Sequence, residues 1–445
     1  MDRIEQKIID LIDQNRDKLI AFGTDIYTNP ELGYREFRTA EKFAQWLQEY
    51  DLPVETEIAV TGVKATLNQE KQENFSVALL GELDALRIPD HKYANPETGA
   101  AHCCGHNAQL TAVAGAVLAL TDSEIQKELD GSITFFGVPA EEGIDLEFRK
   151  ELVNADKIQF SGGKCELIRI GAFDDIDLSV VHHLDFNTPF IGINSSNGFV
   201  SKQISFEGRS THAAVAPDKG INALAAANIG LHALGMNRET FRDDDHVRVH
   251  PIMTKGGTIV NAIPSDVVLE TQVRGGTAEA MEDANKKTER CFVAGAMAMG
   301  AKVTFETVPG YMPGIKMPVP EALREAFQLA EPDKTVRNHE NDPHDCGSSD
   351  VGDLQHIMPV VGFRTGGMVG GMHQADFDIV DEEEAYIASA KAFALIAYRL
   401  LKDGAALGKE IRDGYTPKFA NKDAYTAFLN SLGGTKTYDF TQPQD

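Results

Sequence analysis

Three stretches of the chain are apolar at nearly every position, and each run ends in ionisable residues. They are "FSVALLGELD" (75–84), "SITFFGVPAEE" (132–142) and "IDLSVVHHLD" (176–185). Continuous rather than alternating runs mark strands covered on both faces, the pattern of a parallel sheet. Between the first two lies "LTAVAGAVLALTDSEIQKEL", long and apolar enough for the crossover helix that parallel neighbours need. Ile8, Ile9, Leu11, Ile12 and Leu19 recur at helical spacing near the start. "NPELGYREFRTAEKFAQWLQEYDLP" then reads as a loop followed by an amphipathic helix that ends before Pro53. The pattern predicts an α/β fold with a mixed, mostly parallel sheet flanked by helices.

Near residue 190 the pattern changes. "SSNGFVSKQISFEGRS" and "DVVLETQVRGG" alternate apolar and polar positions, as half-buried strands do, and each precedes a helix-like stretch. This β-α-β-β-α-β order predicts a small inserted α+β two-layer domain over 191–310. The α/β texture returns after "VPGYMPGIKMPVP", so residues 1–190 and 311–445 are expected to form one larger domain in two parts. The last forty residues read as a helix or two and a loose tail.

Composition narrows the function. The chain has 445 residues, 42% of them hydrophobic and 25% charged, with a formal net charge of −26. Such a surface repels phosphate backbones and anionic lipid, so neither nucleic acid nor membrane is an expected partner. The first residues, "MDRIEQKIIDLIDQNRDKL", contain no apolar signal-like core, and no stretch is long enough to span a bilayer. A cytoplasmic protein is expected. Its five cysteines suit reduced thiols rather than a disulfide framework.

The candidate chemistry lies where the apolar runs stop. Ligands of open α/β sheets bind at the carboxyl ends of the strands. Here Asp84, the pair Glu141 and Glu142, and the pair His182 and His183 arrive at three such ends. "CCGHN" (103–107) and "GMHQADF" (371–377) can add further donors. Cys104-Gly105-His106 lacks the spacing of a redox pair or zinc knuckle, but a tight turn at Gly105 would aim a thiolate and an imidazole at one point. Of two adjacent carboxylates, one can ligate a metal while the other acts as a base on water held there.

These stretches, together with "NPELGYREFRTA", "SFEGRSTHAAVAPDKGINAL", "GGTIVNAIPSDVVLETQVR" and "GSSDVGDL", resemble the two-metal amidohydrolase family of carboxypeptidase G, aminoacylases, hippurate hydrolase and auxin-conjugate hydrolases. The likeness is to the subfamily with a cysteine ligand, and Asn107 in place of the common Asp matches its aminobenzoyl-glutamate hydrolase-like branch. The resemblance implies a zinc-exopeptidase-like catalytic domain and an inserted lid that also dimerises. Cys104 would bridge two divalent ions, Mn2+ or Zn2+ with Co2+ also suitable. His106 and His183 would complete one ion, Glu142 and His373 the other. Glu141 would be the general base, and Asp84 would orient a ligand imidazole. His212 would stabilise the oxyanion, reaching the site of the partner in a homodimer, and Asn261 and Arg274 would hold the substrate carboxylate. His182 competes with His183, and the family pattern favours His183. The implied activity is hydrolysis of an amide next to a free carboxylate, in a small N-acyl amino acid, aminobenzoyl-glutamate or dipeptide. Two other readings compete: a non-catalytic carboxylate-binding or regulatory protein on the same scaffold, and a cysteine hydrolase using Cys104 with His106. The second lacks a third group to orient the base.

Overall fold

All fifteen residues of the helix His106–Leu120 are buried, so it presents no polar face and must be covered on every side. The strands Ser76–Glu82 and Leu178–Leu184 pack against it, as do the helices Arg3–Gln14, Arg16–Tyr27 and Ser389–Leu401. Small residues permit the close approach: a side chain at Gly115 would run into Ala390. The computed structural model describes residues 1–186 and 188–442.

Two compact units divide the chain. The first comprises Met1–Asn194, Ile315–Pro343 and Asp353–Lys422. Its eight-stranded sheet runs in the order Val54–Ile58, Gly62–Leu67, Ser132–Val138, Ser76–Glu82, Leu178–Leu184, Val360–Thr365, Phe190–Ile191, Arg337–Asn338. The four strands from Ser132–Val138 to Val360–Thr365 are mutually parallel, while the first two pair antiparallel. All three apolar runs thus form central, parallel strands, as their continuous hydrophobicity predicts. Their shared direction brings the segments that follow Glu82, Val138 and the histidine-bearing end of Leu178–Leu184 to one edge of the sheet.

The second unit comprises Ser195–Gly314, His344–Gly352 and the chain from Asp423 onward. Its antiparallel sheet runs Arg248–Val249, Asp266–Gly275, Gly198–Glu207, Lys302–Pro309, Gly434–Asp439, with Ile252–Lys255 also paired to Asp266–Gly275. Burial alternates along Gly198–Glu207 and Asp266–Gly275, and the helices Ala223–Asn237 and Ala278–Met299 cover the inner face. The strand Gly434–Asp439 corrects the expectation of a loose tail. Every residue in it is exposed, so no hydrophobic alternation marks it, and its backbone ladder to Lys302–Thr307 holds it in place. Among the described residues, no helix is long and apolar enough to cross a membrane.

Candidate metal centre

Gly105 turns the chain between Cys104 and His106. Its φ of +88° is left-handed, which residues with a Cβ rarely adopt, and a side chain there would also press on Leu184. The turn brings the Cys104 Sγ to 3.3 Å from the Nε2 of His183. His183 donates from Nδ1 to the Leu184 carbonyl at 2.7 Å, which leaves the Nε2 lone pair aimed at the thiol. His182, one residue earlier on the strand, faces the opposite way. Its Nε2 meets Thr365 Oγ1 at 2.8 Å and Ser389 Oγ at 3.1 Å, and its ring packs on Phe363 and Phe393. Strand alternation therefore puts only His183 beside Cys104.

Glu142 and His373 meet from separate segments, His373 Nε2 lying 3.3 Å from Glu142 Oε1. The backbone at His373 is itself left-handed, and its N–H donates to the Cys103 carbonyl at 2.8 Å. Asp84 is fully buried and ties the two halves together. Its Oδ2 accepts the Glu142 N–H at 2.8 Å, its carbonyl accepts His106 Nδ1 at 2.8 Å, and its Oδ1 lies 3.2 Å from the same nitrogen. With Nδ1 donating, His106 keeps Nε2 for a ligand.

Three donor sets result: Cys104, His106 and His183; Cys104, Glu142 and His373; and Glu82, His106 and Glu141. Within each set the ligand atoms lie within 4.8 Å of one another. Cys104 is common to the first two, the placement a bridging thiolate requires. A divalent-metal pair suits this donor set on a further ground: among the described residues, buried His106 Nε2 and Glu142 Oε1 make no well-aligned hydrogen bond and face only other ionisable groups of the cluster, Glu82 Oε2 at 3.0 Å and His373 Nε2 at 3.3 Å. Buried polar atoms are seldom left so unless an ion or water takes them up. Thiolate, imidazole and carboxylate together suit zinc or manganese.

Without a cation, the electrostatics keep the proton on Cys104 and on His106, which a bound metal would have to displace. Burial, then the Glu142 carboxylate, pushes the Cys104 thiol well above its usual range. Burial drives His183 down to about 4, keeping it a neutral donor. Burial opposes charge on His106 too, but Glu82 and Cys104 outweigh it and raise its pKa well above the usual value. A thiol that resists ionisation is a poor nucleophile without a cation, which removes support from the cysteine-hydrolase reading.

Three residues of this wall are missing from the sequence reading as site residues. Glu82 Oε2 lies 3.0 Å from His106 Nε2 and accepts Gln109 Nε2 at 2.8 Å, while Glu82 Oε1 accepts the buried Lys164 ammonium at 2.5 Å. Glu82 stands two residues before Asp84, on the same face of the chain, and that spacing was a legible signal. Lys164, far away in sequence, carried none. The third is Glu36, fully buried, which accepts Ala140 N–H at 2.9 Å and Thr61 Oγ1 at 2.6 Å. Ala140 is left-handed at φ +48°, so Glu36 pins a strained residue immediately before Glu141. Cys103 is buried beside this wall, and burial pushes its thiol to about 12. His102 is buried, and among the described residues neither ring nitrogen has a hydrogen-bond partner. Asn107 donates to the Tyr386 hydroxyl at 3.0 Å.

His212, Asn261 and Arg274 all lie in the second unit, which brings only the first two together. His212 bridges to Ala262, and Ala213 N–H donates to the Asn261 carbonyl at 2.9 Å. His212 Nδ1 accepts the amides of Ala214 and Val215, each at 3.2 Å, which places the ring proton on the outward Nε2. Arg274 stands near the far end of Asp266–Gly275, eight residues beyond Asp266, roughly 27 Å along an extended strand. There it donates to Ser348 Oγ at 3.1 Å and Gln272 Oε1 at 2.6 Å.

Comparison with known proteins places residues 78–399 on the model of peptidase family M20/M25/M40. The chain is similar to the human Xaa-Arg dipeptidase, 27% identical over 68% of this chain and 66% of that protein, just under two thirds of its length. It is 26% identical to the IAA-amino acid hydrolase ILR1-like 4 of Arabidopsis thaliana, over 92% of each. Among solved structures, a dinuclear metal-binding peptidase of the M20 family from Bacillus subtilis superposes with a TM-score of 0.64 at 22% identity, over 87% of this chain and 99% of that one.

Proposed function

The chain belongs to peptidase family M20/M25/M40, and from that membership we propose that it is a metal-dependent amidohydrolase. Its substrates carry an amide next to a free carboxylate, as N-acyl amino acids, aminobenzoyl-glutamate and dipeptides do. The observation that carries this reading is the convergence of Cys104 with His106 and His183 on one side and with Glu142 and His373 on the other. The names of the similar dipeptidase and IAA-amino acid hydrolase support the substrate class.

Cys104, His106, His183, Glu142 and His373 would hold two divalent ions, manganese or zinc, with Cys104 in both donor sets. When bound, such a pair polarises the scissile carbonyl and acidifies water. Glu141 takes the proton from the attacking water and returns it to the leaving nitrogen. Asp84 fixes the His106 ring through Nδ1 and holds the Glu142 amide, so base and ligand keep a constant separation. His212 donates from Nε2 to the oxyanion. Asn261 and Arg274 bind the substrate carboxylate, the arginine by a charge-assisted pair. The alternative of a non-catalytic carboxylate binder keeps these last two residues but gives the convergence of donors no purpose.

The second unit also supports a homodimer. His212 with Asn261 and Arg274 stand at opposite ends of one strand, so for all three to act on one small substrate, two chains must contribute. Beside Asn261, Ile259 and Val260 are 60% and 99% exposed, and Ile252 and Met253 are exposed on the neighbouring edge strand. A cluster of this kind is more common at an interface than on free surface.

Complementation tests both the activity and the dimer. Metal-loaded Glu141→Gln chains and His212→Ala chains should each fail to release the amine from N-acyl amino acids. Mixed in equal amounts after dissociation, they should recover about a quarter of wild-type turnover, since half the dimers are mixed and each has one intact site. A mixture no more active than its components would sink the shared-site dimer.

A further inference from the structure

Arg248 and Arg274 are Cα partners across the antiparallel strands Arg248–Val249 and Asp266–Gly275, so two like charges stand directly opposite each other on one face. Such pairs are destabilising unless something between them compensates. Neither forms an ion pair among the described residues, although the chain holds 68 acidic residues against 42 basic ones. Arg274 is half-buried, and that burial lowers its pKa, so its charge is held at a cost.

Both guanidinium groups converge on one fixed turn. Arg274 Nη1 donates to Ser348 Oγ at 3.1 Å, and Arg248 Nη2 lies 3.9 Å from Cys346 Sγ. The turn is fastened to the same unit by Asp345 N–H to the Ser195 carbonyl at 2.9 Å, and by Asn197 N–H to the Asp345 and Gly347 carbonyls. His344 stacks on His246 with ring centres 4.0 Å apart and meets Ser195 Oγ and Asn197 Oδ1 through its two nitrogens. Burial, then His246, lowers its pKa, so it brings no third charge. Phe199 supports the Arg274 guanidinium at 5.4 Å. On the turn, Asp345 Oδ1 accepts the Gly347 amide at 2.7 Å, and among the described residues the carboxylate forms no ion pair with either arginine.

We propose that Arg248 and Arg274 form a paired-guanidinium site for a dicarboxylate, which makes the chain select substrates whose carboxylate-bearing residue is acidic, glutamyl or aspartyl. The inference rests on the reading in which Arg274 holds the substrate carboxylate. Arg248, its strand partner, then faces the group attached beside that carboxylate. A second carboxylate supplies the missing counter-charge, and a neutral side chain does not.

The test compares N-acetylglutamate with its neutral isostere N-acetylglutamine, by calorimetry on the full chain freed of metal. Wild type should bind the diacid about 10-fold more tightly. Arg248→Gln should erase that preference and Arg248→Lys should retain part of it. Equal affinities in wild type, or a preference that survives Arg248→Gln, would overturn the proposal. The hydrolase reading fails separately: metal-loaded wild type that cleaves neither compound, yet keeps the binding preference, upholds the site and rejects the reaction.

Discussion

Glu141→Gln lowers turnover of an N-acyl amino acid or dipeptide by about 10³-fold while leaving metal content at the wild-type level. The substitution keeps the size of the side chain and removes its ability to take a proton. Glu141 lies in the donor set with Glu82 and His106, next to the Glu142 that belongs to a different set. The backbone before it is fixed by Glu36, which accepts the amide of the left-handed Ala140, so a new side chain at 141 starts from the same position. Turnover is read as kcat on the metal-loaded variant, and metal is counted on the same sample by elemental analysis. Retained turnover removes Glu141 from the base role, and a parallel loss of metal makes it a ligand.

Lys164→Met destabilises the chain by about 3–5 kcal/mol, the cost of leaving Glu82 buried without its cation. Lys164 and Glu82 are 1% and 5% exposed, and their charged atoms are 2.5 Å apart. Burial alone would raise the Glu82 carboxyl, but Lys164 and then His106 hold it well below the usual range. Removing Lys164 therefore leaves an ion facing low dielectric. The double variant Lys164→Met with Glu82→Gln removes both charges and recovers most of the loss. Urea unfolding of the metal-free chain measures both. A single-variant loss below about 1 kcal/mol, or no recovery in the double variant, contradicts the assignment of Lys164 as the counter-ion of Glu82.

The central strands were legible because burial on both faces of a parallel sheet imposes continuous hydrophobicity, and their runs have strand length, shorter than the fully buried helix His106–Leu120. The polar residues that end those runs then mark the functional edge. Asp84, the pair Glu141 and Glu142, and the pair His182 and His183 could be marked this way from the sequence alone. Which of His182 and His183 faces Cys104 could not, since both lie in one run and only the strand's phase decides. Lys164 was invisible for a different reason: its partner, Glu82, stands 82 positions away, and one lysine in a polar helix start looks like any other. The strand Gly434–Asp439 was missed because it is held by backbone pairing, which leaves no side-chain pattern. The opposite placement of His212 and Arg274 also needed the sheet, because their spacing in sequence gives no hint of the strand that separates them.

The most direct measurement is the number of metal ions per chain after reduction, stripping and reloading with manganese or zinc. About two ions in wild type, falling below one in Cys104→Ala, is the result expected when the shared thiolate holds both. No tightly bound metal under either loading condition, or an unchanged count in Cys104→Ala, would contradict a centre built on Cys104.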